Sequence, residues 1–471
     1  MNEKPDSTRN GGAIGVPLNR VDGPFKVTGR ATYAAEFDVP QVCHGVMVRS
    51  TIPAGAIAAI DAEAARRMPG VLLVMTHENA PQLPEKGRAA VKPPAGRENS
   101  LLQEPVVRYN GEPIAVVVAE TLEQATEAAE QVKVTYRAAE AVLDFDKAKK
   151  DPKPAKMIRG PAEKKWGSDV QRALAQAPVK VDHVYETPME HHNPMEPHGT
   201  IAAWDGDRLT LYDATQYVYG TRDTVAKTLG VPPENVRVVC PYVGGGFGCK
   251  GSTWSHVTLA AMAARKAGRP VKLVLQRPQM FGPVGGRPLT EQHIVLGASR
   301  DGKIVAMRHE VISHTSRFED FTEPATEPTR ALYSYPNGYT IQKLAVLNVG
   351  TPTFQRAPGE ATGTFAMESA MDELAYELGI DPLRLRIVNH ADVEPSSGKP
   401  WSSKKLRECY EQGARRFGWS RRSVKPGSMR DGKWLVGWGV ATATYPAHRQ
   451  EAHATAILNA DGTYVIRSGT Q

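Results

Sequence analysis

Hydrophobic and polar positions alternate with two periods along this chain. The continuous apolar run Ile114–Ala119, IAVVVA, predicts a strand buried on both faces. Thr121 stands three residues before Gln124 and predicts a capping box that opens a helix over TLEQATEAAEQ. Val132–Tyr136 alternates as a strand, so residues 20–137 read as one α+β unit. From Asp144 to Pro178 the chain is rich in Lys, Pro and Ala and reads as a linker that wraps rather than packs. Asp-Gly pairs at Asp205-Gly206, Asp301-Gly302 and Asp461-Gly462, each between alternating segments, predict tight hairpins. The first and third hairpins end alike, in YDATQ (212–216) and RSGTQ (467–471), by kinship or by chance. Apolar residues Phe365, Ala370, Met371, Leu374 and Leu378 recur at helical spacing, which predicts a helix over Ala361–Leu378 closed by Gly379. The Arg-rich stretch Phe417–Lys433 reads as a boundary. A new sheet is expected from Trp434, and the chain ends on its third strand, which reads as a fragment.

A length of 471 residues suggests about three domains. With 41% hydrophobic and 23% charged residues, the composition is that of a globular protein. No apolar run reaches the ~18 residues of a membrane span, and Met1–Asn10 lack a signal-peptide core. The four cysteines (Cys43, Cys240, Cys249, Cys409) are scattered, which argues against an iron–sulfur cluster, structural zinc or disulfide framework in this chain. The net charge of +7 gathers in Lys147–Lys165 and Lys404–Lys433. Solvated surface accounts for such runs, and a docking face for an acidic partner is the alternative. Nucleic acid is not expected, because the clusters carry neither interleaved aromatics nor a recognition motif.

Two segments carry chemistry. In PYVGGGFGCKG (241–251) consecutive glycines expose backbone N–H groups that can form a nest for an anion; a simple bend between strands would look the same. In TFQRAPGEATGTFAMESAMDELA (353–375) Arg356 stands at the start of a helix, and both features favour an anion. Neither segment has Rossmann or P-loop spacing. His191, His192, Glu196 and His198 in TPMEHHNPMEPHG lack HExxH spacing and read as structural rather than as metal ligands.

Together these segments resemble the molybdenum-cofactor-binding large subunit of the xanthine dehydrogenase/aldehyde oxidase family. The resemblance extends to RVDGPFKVTGRATYAAEFD (20–38), MEPHG (195–199) and DPLRLRIVNH (381–390), and RAPGE is nearest to the bacterial aldehyde-oxidising members. It implies an α+β chain: an N-terminal hammerhead α/β domain, then elongated cofactor-binding domains, the last incomplete. The corresponding division is a flexible N-terminus at 1–17, the hammerhead at 18–143 and a linker at 144–178. A first cofactor-binding domain follows at 179–416, then a linker at 417–433 and the start of a second cofactor-binding domain at 434–471.

By position the resemblance places Gln216, Gly245, Gly246, Phe247, Gly248, Arg356, Gly439, Val440 and Ala441 beside a molybdenum–molybdopterin cofactor, with a cytosine dinucleotide form as one variant. The pterin, not protein side chains, holds the metal. Gly251, Arg330, Pro358 and Thr442 fall on the substrate side. Gly251 stands where purine-oxidising members have a Glu, and Pro358 and Thr442 stand where they have stacking Phe rings. Ala357 occupies the position of a Cys in carbon monoxide-oxidising members. Small aldehydes are therefore the expected substrates, oxidised to carboxylic acids with water as oxygen source; a small N-heteroaromatic is the alternative. The resemblance also implies a 2Fe-2S small subunit, an FAD medium subunit and a general-base Glu that no residue of this chain matches. An inactive remnant is the rival reading. The expected location is cytoplasmic, or periplasmic if a partner carries a twin-arginine signal.

Overall fold

The computed structural model describes residues 17–156, 160–446 and 451–468. Two large sheets organise the chain. The first has seven strands in the order Val236–Val239, Arg208–Asp213, Gly199–Asp205, Val271–Val274, Cys43–Arg49, Pro113–Ala119, Val71–Thr76. The second has six and is built on Val179–Thr187, Thr290–Ala298, Ile304–Ser316 and Asn337–Leu347.

The strand expected at 114–119 runs over Pro113–Ala119 with every residue buried, at the heart of the first sheet. The capping box forms: Thr121 accepts from the Gln124 amide, and the Gln124 side chain accepts from the Thr121 amide. The helix so opened, Leu122–Glu130, buries Ala125 and Ala128. The three Asp-Gly turns join antiparallel strands, with Gly206, Gly302 and Gly462 all at positive φ.

Residues 18–143 do not close on themselves. Cys43–Gly45 pair in parallel with Val271–Leu273, so the hammerhead strands and the strands after residue 199 share one sheet. The core follows the same pattern. Met47, Met75, Val116 and Val118 pack in one cluster with Leu209, Leu259, Met262 and Leu273. The helix Ser255–Ala267 covers this sheet and is buried from Ser255 through Ala264, which its run of small and apolar side chains permits.

The stretch 144–178 is more than a linker. Lys153–Pro154 and Glu163–Trp166 add to the edge strand Asn337–Leu347, and the helix Val170–Gln176 buries Val170 and Leu174 against the second sheet. Its lysines are partly engaged: Lys149 pairs with Glu291 and Lys153 with Asp320. Pro and Lys are tolerated at an outer strand because one row of backbone groups there needs no partner.

The helix expected from Ala361 spans Glu360–Leu378 and ends at Gly379 with φ 64°. Ala370, Met371 and Leu374 enter the core, but Phe365 is half exposed and stands edge to face with Tyr185. The single sheet expected from Trp434 is instead two separate ribbons. Arg430–Asp431 pair with Trp434–Leu435, and Ala454–Leu458 pair with Tyr464–Ser468. The intervening residues up to Pro446 have no regular structure. The terminal Gly469, Thr470 and Gln471, and all of 1–17 except Pro17, lie outside the described residues.

Candidate cofactor site

The strand Arg208–Asp213 delivers Gln216 to the glycine loop. Its backbone N–H donates to Lys250 O at 2.8 Å, and its Oε1 accepts from the Gly248 amide at 3.0 Å. Just upstream, burial pushes the Asp213 carboxyl up to about 7, and the Thr200 hydroxyl donates to it. The glycines let the loop approach its neighbours. A Cβ on Gly246 would stand 2.3 Å from Gln216 Oε1, and one on Gly248 would stand 2.3 Å from Phe354 O.

Gly245, Phe247 and Gly248 have φ of 94°, 55° and 114°. Such positive values are unusual for a bulky residue like Phe and cost about 1–3 kcal/mol. The Gly244 amide is taken by Glu196 Oε2 at 2.7 Å and the Gly248 amide by Gln216. Among the described residues the amides of Gly245, Gly246 and Phe247 have no hydrogen-bond partner, so they are donors an anionic group can use.

Arg356 is joined to this loop directly. Its amide donates to Phe247 O at 2.8 Å, and its guanidinium lies 5.4 Å over the Phe247 ring. The next residue, Ala357, is also at positive φ, 60°. A second arginine, Arg287, holds this strained turn from behind. Its Nη2 donates to the carbonyls of Gln355 (3.2 Å) and Arg356 (2.8 Å), its Nη1 to Glu323 (3.0 Å), and its Nε to Glu190 (3.0 Å). Glu323 also accepts from the Gly359 amide and the Thr362 hydroxyl. Burial raises the Glu323 pKa, and the Arg287 charge opposes that shift.

The structure therefore brings Gln216, Gly245, Gly246, Phe247, Gly248 and Arg356 together. Gly245, Gly246 and Gln216 line a cleft of about 770 Å³ with Cys240, Tyr219 and Tyr242. Gly251 follows the loop, and a Cβ there would meet nothing within 4 Å. Pro358 sits half-buried between Ala357 and Gly359. Gly439, Val440 and Ala441 lie in the irregular segment before Thr442.

Arg330 and Thr442 are both hydrogen-bonded within the protein. Buried Arg330 donates to the Thr340 hydroxyl at 2.9 Å and the Pro161 carbonyl at 3.0 Å. Thr442 gives its amide to Glu368 at 2.8 Å, and its hydroxyl is shared with Tyr333 and Tyr410. Glu368 in turn binds the buried Arg386 at 2.7 Å. This network ties the irregular segment to the helix Glu360–Leu378.

The histidine-rich run supports the loops. His192 Nε2 bonds Phe354 O at 2.7 Å, and burial holds its pKa down at about 4. His198 is buried edge to face with His256, ring centroids 5.6 Å apart. Among the described residues no group of three His, Cys, Asp or Glu is arranged to hold a metal ion. Of the polar groups that hold the site in place, Glu196 and His192 were read from sequence as structural, whereas Arg287 and Glu323 were not singled out. Arg287 follows two glycines and looks like any loop arginine; Glu196 lies within MEPHG, where the family motif was the available signal.

The chain belongs to the aldehyde oxidase and xanthine dehydrogenase family. The molybdopterin cofactor-binding domain matches residues 150–390, and the aldehyde oxidase and xanthine dehydrogenase a/b hammerhead domain matches residues 28–140. Among its relatives is the aldehyde oxidoreductase molybdenum-binding subunit PaoC of Escherichia coli, 40% identical over 97% of this chain and 61% of that one. Another is the putative xanthine dehydrogenase molybdenum-binding subunit XdhA of the same organism, 31% identical over 96% and 62%. The chain thus spans about three fifths of the length of these relatives. In fold it resembles the aldehyde oxidoreductase of Desulfovibrio desulfuricans, with a TM-score of 0.80, 23% identity, and coverage of 95% of this chain and 52% of that one. Quinoline 2-oxidoreductase of Pseudomonas putida gives a TM-score of 0.76 at 21% identity over 86% and 54%.

Proposed function

We propose that this chain is the molybdopterin-binding portion of an oxidoreductase that converts aldehydes to carboxylic acids with water as the oxygen source. The observation that carries the reading is how the glycine loop is held: Gln216 bonds it at Gly248 and Arg356 bonds it at Phe247, and Gln216, Gly245 and Gly246 line a large cleft. The cofactor would supply two-electron redox chemistry at a carbonyl carbon. The protein's part is to hold it. Three loop amides and the Arg356 guanidinium favour an anionic group, and Gln216 Nε2 offers a neutral donor beside them. Phe247, 42% exposed, offers an apolar ring at the loop surface beneath the Arg356 guanidinium. Gly251 leaves open space and Pro358 a small apolar face, and neither offers the stacking ring or carboxylate that would recognise a purine.

The relatives named as molybdenum-binding subunits support an assembly with further subunits, and the proposal takes these to be 2Fe-2S and FAD partners through which electrons leave. The scattered Cys43, Cys240, Cys249 and Cys409 fit that division of labour. Among the described residues no helix is long and apolar enough to cross a membrane. A cytoplasmic assembly, or a periplasmic one carried by a partner's twin-arginine signal, is part of the same proposal. The test is co-expression with an iron–sulfur and a flavin subunit, followed by molybdenum analysis and dye-reduction kinetics. Bound molybdenum and a kcat/KM for benzaldehyde far above that for xanthine are expected. Equal values for the two substrates would reject the aldehyde assignment, and turnover without iron would reject the partner assignment. Preference for a quinoline-type ring would favour the N-heteroaromatic alternative.

A further inference from the structure

Beside the irregular segment that joins the strand Asn337–Leu347 to Arg356 lies a second concavity, of about 380 Å³. It opens at the seam between the two matched regions. Pro53 and Asn110 come from one side; Phe281, Gly285, His314 and Pro352 come from the other. Its volume falls within the ~300–1,000 Å³ of small-molecule pockets. None of its lining residues is Asp, Glu, Lys or Arg. A charged guest would lose its hydration there without gaining a counter-ion, so the walls select an uncharged one. Part of the wall is aromatic: the His191 ring stands edge-on to Phe281, with centroids 4.9 Å apart.

Two imidazoles add polar contacts. His314 Nδ1 accepts the Leu289 amide at 2.9 Å, so the neutral ring carries its proton on Nε2. His191 is half-buried; its Nδ1 makes no well-formed hydrogen bond among the described residues, although the Gly285 backbone lies close enough to the ring to oppose the effect of burial on its pKa. An unpaired buried polar atom costs about 1–3 kcal/mol, which a guest with a hydrogen-bonding group would partly relieve. Burial lowers the pKa of both rings below 6.5, so both are uncharged at neutral pH.

We infer that this concavity is a binding site for a small, uncharged aromatic molecule bearing one carbonyl or amide group, separate from the cleft beside Phe247. Its floor is joined to the cofactor loop: the Thr353 amide donates to Gly286 O at 2.9 Å, and Arg287 follows in the chain.

The test is titration of the full chain with benzamide, followed by ligand-observed NMR, with benzoate as the charged control. A Cβ on Gly282 would have its nearest neighbour, Asn110 O, at 3.8 Å, so Gly282→Leu can fill the concavity from its floor. Val349→Phe fills it from another wall and serves if the first variant does not fold. His191→Phe keeps the ring but removes the unpaired nitrogen. Saturable benzamide binding is expected, weakened at least about tenfold by a filling variant and several-fold by His191→Phe. Absence of saturable binding up to about 10 mM, or binding unchanged by filling variants that melt like the parent, overturns the site. Benzoate binding as tightly as benzamide overturns the assignment to an uncharged guest.

Discussion

The Lys250 ammonium, fully buried at the end of the glycine loop, lies 2.8 Å from the Glu196 carboxylate and 2.9 Å from the Glu196 carbonyl. The same carboxylate accepts the Gly244 amide, so this one pair holds the loop at both ends. Breaking a buried pair by removing one partner costs about 3–5 kcal/mol, because the other charge is left without compensation. Lys250→Met is therefore expected to destabilise the protein by about that amount in urea unfolding. The double variant Lys250→Met/Glu196→Gln should recover part of the loss. A loss below about 1 kcal/mol in the single variant would show that the pair does not hold the loop.

Arg287 can be replaced by Lys without changing charge, but not without losing the fork. A single ammonium cannot reach the Gln355 and Arg356 carbonyls while keeping both Glu190 and Glu323. Arg287→Lys should lower stability by about 2–4 kcal/mol. In the assembled enzyme it should also lower the molybdenum content per chain, since the turn at Arg356 loses its backing. A full molybdenum complement in the variant would confine Arg287 to a stability role.

Acid should weaken the fold between pH 6.5 and 4. Burial lowers the pKa of His192 and His314 to about 4 and of His256 and His309 to about 3. These rings stay neutral in the folded state, while the unfolded chain takes up protons below 6.5. Their contribution is therefore whole above 6.5 and is lost as pH falls towards the folded values. Urea unfolding from pH 7.5 to 4.5 should show this slope, and His256→Phe should reduce proton uptake on unfolding by about one. An unchanged slope in that variant would remove His256 from the account.

Local features were legible in the amino-acid sequence. The run at 114–119, the Thr121–Gln124 box and the Asp-Gly turns act over a few residues, and each forms where its pattern stands. The glycine loop and RAPG segment were legible through their resemblance to a family, and the structure places them in contact. Long-range pairings were not. Nothing near Cys43 marks its partner as Val271, and nothing in Lys153–Pro154 marks a strand edge, because that information resides in the partner. The same holds for the partners of Arg330 and Thr442: their hydrogen bonds run to Thr340, Pro161, Glu368 and two tyrosines, which no local pattern marks.

The parallel pairing of Cys43–Gly45 with Val271–Leu273 sets a timetable. The Cys43 amide reaches a carbonyl, that of Pro270, which lies 227 positions further along the chain. At roughly 5–20 residues per second, the ribosome takes some ten to fifty seconds to supply it. Throughout that interval the newly made strand Cys43–Arg49 has one edge without its native neighbour. Such an edge recruits other strands, so the nascent chain is most exposed to mispairing before residue 274 emerges. The two regions that families recognise separately must in this molecule finish folding together.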